Sequence, residues 1–416
     1  MFAPDLGDIM TDRTFDIIVY GATGFTGRLV AEYLHTTYGA GGDLNWAMAG
    51  RSQTKLAAVR DELGISSDVP LIVADAGDPA SLKAMAECAK VVLTTVGPYQ
   101  LYGEPLLSAC AEAGTDYVDL CGEPAWMAQM IRKYQTRAEQ TGARLVFSCG
   151  FDSVPFDLGV WFLQREAKSR FGQTLPRVKG RVRKMKGTFS GGTAASLTAT
   201  LEAAAKDKSI IKLLTNPFSL IPGFKGPKQP HSDKAEYDAA AQSWTAPFIM
   251  APINTKNVHR TNALTGHAYG EAFVYDERMM TGDGRKGEKR AKAAARQDKI
   301  QNILLAIAPT RWLIKTFALP KPGEGPDKNA RDTGFYDVLF IGEDDGGVRL
   351  KASVQGDRDP GYGSTSKMIS ECAAALVLDI DRQRTGGGVW TAGAAMGGKL
   401  INRLQERAGL TFRIED

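Results

Sequence analysis

The chain has no uninterrupted apolar run of the roughly 18 residues that a membrane-crossing helix needs, so no span is expected. Its five cysteines (Cys88, Cys110, Cys121, Cys149 and Cys372) form no CxxC pair. Odd in number and scattered, they fit reduced thiols in a cytoplasmic protein, not a disulfide framework. The four histidines, His35, His231, His259 and His267, lack metal-ligand spacing, so no metal site is expected. No GxSxG nucleophile elbow occurs, which argues against a serine hydrolase. The first ten residues hold Asp5 and Asp8 and no basic residue, the wrong pattern for a signal peptide. Neither sign of charge dominates: 51 Lys and Arg against 47 Asp and Glu leave +4 over 416 residues. That balance implies no global field for nucleic acid, and no nucleic-acid partner is expected.

What is present suits a soluble enzyme of two or three domains of ~150 residues each. Apolar runs alternate with helical patterns through the first third. Strands are expected at Asp16–Tyr20, Leu44–Ala49, Leu71–Ala74, Val91–Val96, Tyr117–Leu120 and Leu145–Ser148. Helices are expected between them at Thr26–Tyr38, Lys55–Leu63, Pro79–Cys88, Pro105–Ala113 and Ala125–Thr141. Six strands alternating with helices predict an α/β fold, a doubly wound parallel Rossmann sheet. Past Pro176 the texture changes. Arg177–Lys186 and Tyr269–Tyr275 alternate polar and apolar residues, and Phe335–Ile341 and Val348–Val354 flank an Asp344-Asp345-Gly346-Gly347 turn. These predict a second α+β domain on a mixed or antiparallel sheet. The expected division is 14–160 for the dinucleotide-binding domain, 177–357 for the second domain, and 358–416 for C-terminal helices. Two helices alone bury no core, so the tail should pack back on the first domain.

Gly21-Ala22-Thr23-Gly24-Phe25-Thr26-Gly27 directly follows an apolar strand and opens an amphipathic helix, the context that gives a GxxGxxG string meaning. Gly21 permits the turn, Gly24 lets the backbone approach a pyrophosphate, and Gly27 allows close helix–strand packing. Thr23, Phe25 and Thr26 line the same loop. An NAD enzyme usually offers a carboxylate to the ribose after the second strand, whereas this chain has Gly50-Arg51-Ser52. An arginine fork and a hydroxyl suit the 2′-phosphate of NADP(H). A solvated surface arginine is the competing reading. Asp75, then Gly97-Pro98-Tyr99, then Asp119-Leu120-Cys121-Gly122-Glu123 follow later strands at the same edge and extend the expected cofactor site.

These residues together resemble the saccharopine dehydrogenase-like oxidoreductases, in particular the trans-acting enoyl reductase branch known from actinobacteria. The likeness rests on Gly21–Gly27, Ala49–Ser52, Val96–Tyr99, Asp119–Glu123, Gly150-Phe151-Asp152-Ser153-Val154-Pro155 and Ser190–Thr193. It continues through Pro322–Pro326 and Asp359–Gly363, almost to the C-terminus. The resemblance implies an NADPH-dependent enzyme that reduces an enoyl bond in a lipid or polyketide-type acyl substrate. An imine-reducing enzyme and a non-catalytic NADP-binding regulator stay open as alternatives.

Conjugate reduction needs a hydride, a proton donor and a group that polarises the acyl carbonyl. The catalytic candidates are Tyr99, Asp152 and Ser153, each with a plainer reading: cofactor packing for Tyr99, a turn carboxylate for Asp152, a helix N-cap for Ser153. Gly191-Gly192-Thr193 is a candidate source of backbone donors. Ile210–Phe224, flanked by Lys206, Lys208, Lys212, Lys225 and Lys228, and Ile303–Leu319, with Arg311, Trp312 and Lys315, combine apolar and basic residues. They fit an anionic membrane at the inner face of the plasma membrane, or the mouth of an acyl tunnel. A domain or homodimer interface explains them equally well. Arg285–Lys299 is a basic helical run, read as a solvated face or as a contact for an anionic membrane or acyl carrier.

Overall fold

The computed structural model describes residues 13–187, 191–306, 325–347 and 349–415. Its first part runs β1 (Phe15–Tyr20), α1 (Phe25–Tyr38), β2 (Trp46–Gly50), α2 (Gln53–Glu62), β3 (Leu71–Val73) and α3 (Pro79–Glu87). Next come β4 (Ala89–Thr94), α4 (Tyr99–Ala113), β5 (Asp116–Val118), α5 (Pro124–Thr141), β6 (Arg144–Val146) and α6 (Val154–Phe171). The six strands pair in parallel in the order β3-β2-β1-β4-β5-β6. Ile17, Ile18 and Val19 of β1 and Val91, Val92 and Leu93 of β4 are fully buried, as strands must be when helices cover both faces. The strand order reverses between β1 and β4. That switch point is where open α/β sheets bind ligands.

One helix starts earlier than its sequence suggests. A helix opening at Pro105 was the expectation, whereas α4 begins at Tyr99 and carries Pro105 inside. Its first N–H groups have no local cap. Glu123, from the loop after β5, takes those of Tyr99 and Gln100 at 2.8 and 2.9 Å. A cap 24 residues away in sequence leaves no local signal.

The second part adds β7 (Arg177–Lys186), α7 (Gly191–Lys206), α8 (Lys208–Thr215), β8 (Glu236–Asp238), β9 (Ser243–Pro247), α9 (Ala251–Leu264) and β10 (Val274–Gly282). It continues with α10 (Gly284–Ala306), α11 (Lys328–Asp332), β11 (Phe335–Glu343), β12 (Arg349–Gly356), α12 (Thr365–Leu378), β13 (Gly388–Trp390), α13 (Ala392–Arg407) and β14 (Leu410–Glu415). A π-helical turn, Pro360–Ser364, leads into α12. The second sheet has the order β14-β12-β11-β7-β10-β9-β8. Only β7 and β10 are parallel in it, so the sheet is mixed.

The strand expected at Tyr269–Tyr275 instead begins at Val274 and runs to Gly282. Asp276, Glu277 and Arg278 hide it from a polarity reading, yet all three are buried. Asp276 pairs with Arg177 and Arg181, and Arg278 with Glu236 at 2.7 Å. The tail is also more than helices: β13 extends the first sheet beside β6, and β14 joins β12 in the second. Buried polar groups bind α12 and α13 to the parallel sheet. Glu371 of α12 accepts from Tyr33 and Tyr38 of α1, both at 2.8 Å, and pairs with Arg403 of α13 at 3.1 Å. Arg144 of β6 donates to the Leu376 and Ile380 carbonyls at 2.7 and 2.9 Å.

Candidate active site

At the end of β1 the chain turns through Gly21 at φ +91°, a region that favours glycine. A Cβ there would also sit 2.7 Å from Val96 Cγ2. At Gly27 a Cβ would overlap the Gly21 carbonyl oxygen, so α1 packs this close only because the atom is missing. Gly24 differs. It is exposed, its Cβ position meets only the Gly21 oxygen at 3.4 Å, and no side chain caps the helix it opens. The first turn of α1 therefore presents backbone N–H groups and the positive end of its dipole to open space, as a pyrophosphate requires. Thr23 and Thr26 are half-buried beside it.

Phe25 joins the two parts of the molecule. Its ring meets Tyr362 edge-on at 4.8 Å, and the Arg331 guanidinium lies 5.6 Å from its centroid. A Cβ at Gly325 would overlap the same ring. Two distant glycine motifs, at 325–326 and 359–363, thus converge on the dinucleotide turn; Pro322–Glu324 lie outside the described residues.

Arg51 follows β2, is exposed, and has no carboxylate within ion-pair range among the described residues. Ser52 caps α2 through its oxygen, which accepts the Lys55 N–H at 3.3 Å, so its own proton is not used there. Asp75 holds the Gly77 N–H at 2.8 Å. Burial raises the Tyr20 phenol pKa; Asp75 adds to the rise and Arg51 opposes it, which puts the three groups in one neighbourhood. Turn, arginine and hydroxyl fit the pyrophosphate and 2′-phosphate of NADP(H).

Beyond β4 the site becomes side-chain chemistry. Gly97 and Pro98 lead directly into α4, with Pro98 at its N-cap. Tyr99 is buried against Trp126, and both sides of its hydroxyl are used. It donates to the Thr94 carbonyl at 3.3 Å and accepts the Leu120 N–H at 3.0 Å. Burial first, then Asp119, holds this phenol well above its usual pKa. Asp119 knits the loops together, accepting from Cys121 N–H, Ser148 N–H and the Tyr117 hydroxyl at 2.9, 2.9 and 3.0 Å. Burial pushes it up to about 7. That grip keeps Ser148 at φ +59°, a strained position for a non-glycine residue just before the Gly150–Ser153 turn.

Asp152 is half-buried and has no cation within ion-pair range among the described residues; burial alone pushes its carboxyl up to about 7. Ser153 stands at the N-cap of α6, but its side chain makes no capping bond. Its oxygen instead accepts Asn257 Nδ2–H, from α9, at 2.8 Å. The capping expectation for Ser153 is therefore corrected: a distant helix holds the hydroxyl. Among the candidate backbone donors, Gly191 N–H is taken by the Tyr362 hydroxyl at 2.9 Å, and Ser190 and the Thr193 side chain lie outside the described residues.

Sequence reading placed Glu123 at this edge but missed Asn254, Asn257 and Glu277. Of these, α9 carried a signal. Asn254, Lys256, Asn257, His259, Arg260, Thr261 and Asn262 are all buried, so a helix-length polar stretch lies inside the fold. Buried polar groups have to be explained by their partners. Glu277 of β10 is one of them, taking Asn254 Nδ2–H and the Tyr275 hydroxyl, each at 2.9 Å.

Among the described residues no group of three or more His, Cys, Asp or Glu side chains could hold a metal ion. No helix among them is long and apolar enough to cross a membrane. Ile303–Leu319 lies almost wholly outside the described residues, Arg311, Trp312 and Lys315 included.

Residues 17–146 match the family model of the saccharopine dehydrogenase NADP binding domain. With the geometry of Arg51 and the glycine turn, that match defines an NADP(H)-dependent oxidoreductase. A trans-acting enoyl reductase of Mycobacterium ulcerans is 39% identical over 412 residues, covering 95% of this chain and 96% of the relative. A Mycobacterium tuberculosis protein that carries the same name provisionally is 43% identical over 414 residues, with 95% and 96% covered. The chain belongs to the saccharopine dehydrogenase-like oxidoreductases, in the trans-acting enoyl reductase branch. Saccharopine dehydrogenase (L-Glu forming) from Saccharomyces cerevisiae superposes with a TM-score of 0.52 at 11% identity, covering 96% of this chain and 99% of that one. At that identity the likeness concerns the fold alone.

Proposed function

We propose that the protein reduces a carbon–carbon double bond conjugated to an acyl carbonyl, with Asp152 as the proton donor. One observation carries this reading. Asp152 is a carboxyl without a cation, at the carboxyl edge of the parallel sheet, and burial brings its pKa to about 7, where an acid can both hold and give up a proton. NADPH, held by the Gly21–Gly27 turn and Arg51, would supply the hydride that the β carbon takes. Asp152 then gives its proton to the α carbon and regains one from water, which its half-buried position admits. Tyr99 acts by positioning: its two hydrogen bonds tie the end of β4 to the loop after β5 and leave no proton to spare. The names of the relatives support the enoyl assignment over imine reduction and over a non-catalytic regulator.

Gln100, Trp126, Thr200, Ala203 and Ile210 line a shallow recess of about 40 Å³, too small to enclose an acyl chain. Its outer wall is α8, which buries none of its residues and exposes Ile211 at 47% between Lys208 and Lys212. Apolar and basic residues on one short helix suit an anionic lipid surface. Purified protein incubated with NADPH and a panel of enoyl thioesters, cyclic imines and quinones tests the assignment. NADPH loss with the thioesters is the expected result, and loss only with imines would replace it.

A further inference from the structure

The Gly21–Gly27 turn leaves a charge unmet. The diphosphate of a dinucleotide is a dianion, whereas a helix N-terminus supplies the equivalent of roughly half a positive charge. The cations nearest in sequence have other tasks. Arg28, on α1 itself, is engaged by Glu62, and Arg51 follows β2, where a 2′-phosphate is read. A counter-charge for the diphosphate has to come from elsewhere in the fold.

One guanidinium from the second part of the molecule is placed to supply it. Arg331, on α11, lies 5.6 Å from the centroid of the Phe25 ring, and Phe25 is the residue that opens α1. The ring is fixed from other sides as well. Tyr362 meets its edge at 4.8 Å, and a Cβ at Gly325 would overlap it, so the 325–331 segment packs this close only for want of a side chain. The Arg331 backbone is pinned in turn, its carbonyl accepting Asp359 N–H at 2.9 Å. Its side chain is half-buried and so still borders solvent, as Gly24 does.

The guanidinium is mostly unspent. Of its five N–H groups, Nη1 gives one to the Pro326 carbonyl at 2.6 Å, its only hydrogen bond among the described residues. No carboxylate among those residues lies within ion-pair range, although several are close in sequence. Asp332 and Asp357 pair with Arg358 at 3.5 and 3.2 Å. Asp327 takes the Ala330 N–H at 2.7 Å, and Asp359 takes that of Tyr362 at 2.8 Å. A planar fork left open in this way matches the oxygens of a phosphate.

We propose that Arg331 is a cofactor-binding residue, whose guanidinium, held on the Phe25 ring, binds the diphosphate of NADP(H) alongside the N–H groups of α1. The dinucleotide is then clamped between the two parts of the molecule, and cofactor binding draws on both. The inference does not depend on which bond the cofactor reduces.

Titration of the purified protein with NADPH, NADH and adenosine 2′-monophosphate tests it, because the last keeps the 2′-phosphate and has no diphosphate. Arg331→Met should weaken NADPH and NADH by the same factor, roughly 10- to 150-fold. Its affinity for adenosine 2′-monophosphate and its melting temperature should match wild type. Arg331→Lys keeps the charge without the fork and should lose less. NADPH binding should also depend less steeply on salt in Arg331→Met, which has one fewer charge for salt to screen. Unchanged dinucleotide affinity overturns the proposal. So does a loss confined to NADPH, which would put Arg331 at the 2′-phosphate. Loss of adenosine 2′-monophosphate binding together with a lower melting temperature overturns it as well, since Arg331 would then serve the fold. Wild type that binds neither dinucleotide removes the cofactor reading and this role with it.

Discussion

The Gly21–Gly27 turn and the Asp152 cluster belong to the same edge of one parallel sheet but offer opposite chemistry. The turn offers backbone. Its groups come from seven consecutive residues, open to water at Gly24, and gain strength from a helix dipole. The cluster offers side chains. Asp152 and Ser153 lie in the turn between β6 and α6, Asn254 and Asn257 on α9 and Glu277 on β10, and all but Asp152 are buried. An anion that only has to be held needs N–H groups and access. A proton that has to be held and released needs a group whose surroundings penalise its charged form. Contact with water separates the two tasks.

The largest expected effect is at the turn. Gly24→Val should abolish NADPH binding in a titration while the melting temperature stays near wild type, because only solvent and one oxygen face that position. Gly27→Val should instead lower the melting temperature sharply, since its Cβ would overlap the Gly21 carbonyl. If Gly24→Val binds NADPH normally, the turn is structural and the contrast collapses.

On the other side, Asp152→Asn should lower kcat by roughly 10²- to 10⁴-fold with NADPH affinity unchanged. The sign of the pH effect follows from its raised pKa. The donor form exists below about 7, so wild-type kcat should fall as pH rises through that value, and the limb should vanish in the variant. A limb that survives Asp152→Asn assigns the proton to another group.

A smaller effect tests cofactor choice. Arg51→Ala loses a charge-assisted fork of roughly 1.5–3 kcal/mol, about 10- to 150-fold in NADPH affinity, with little change for NADH. Equal losses for both cofactors would make Arg51 a solvated surface residue. The smallest effect is at the outer wall of the recess. Ile211→Glu should reduce co-sedimentation with anionic liposomes at low salt without changing the melting temperature. Wild-type protein that stays in the supernatant removes the lipid-surface reading.

The same contrast explains what the sequence made legible. The turn, Arg51, the parallel sheet and the mixed second sheet leave local marks: spaced glycines, apolar runs, alternation. The Asp152–Ser153 pair was visible as a motif at the end of β6. Its partners were not, because Asn257 reaches Ser153 across 104 residues and Asn254 meets Glu277 from another strand. Glu123 capping α4 and Asn257 holding Ser153 show the same thing: a hydrogen bond made at long range leaves each residue looking ordinary where it stands. The charged strand β10 was obscured for a related reason, since buried ion pairs cancel the polarity that argues against burial.

Isotope tracing tests the central claim most directly. With NADPH deuterated at C4 on the transferred face and crotonyl-CoA in ordinary water, the product should be butyryl-CoA with deuterium at the β carbon and none at the α carbon. In deuterated water with ordinary NADPH the label should appear at the α carbon alone, and Asp152→Asn should slow its arrival. No butyryl-CoA under either condition, with label appearing instead in the amine product of a cyclic imine, would contradict the account.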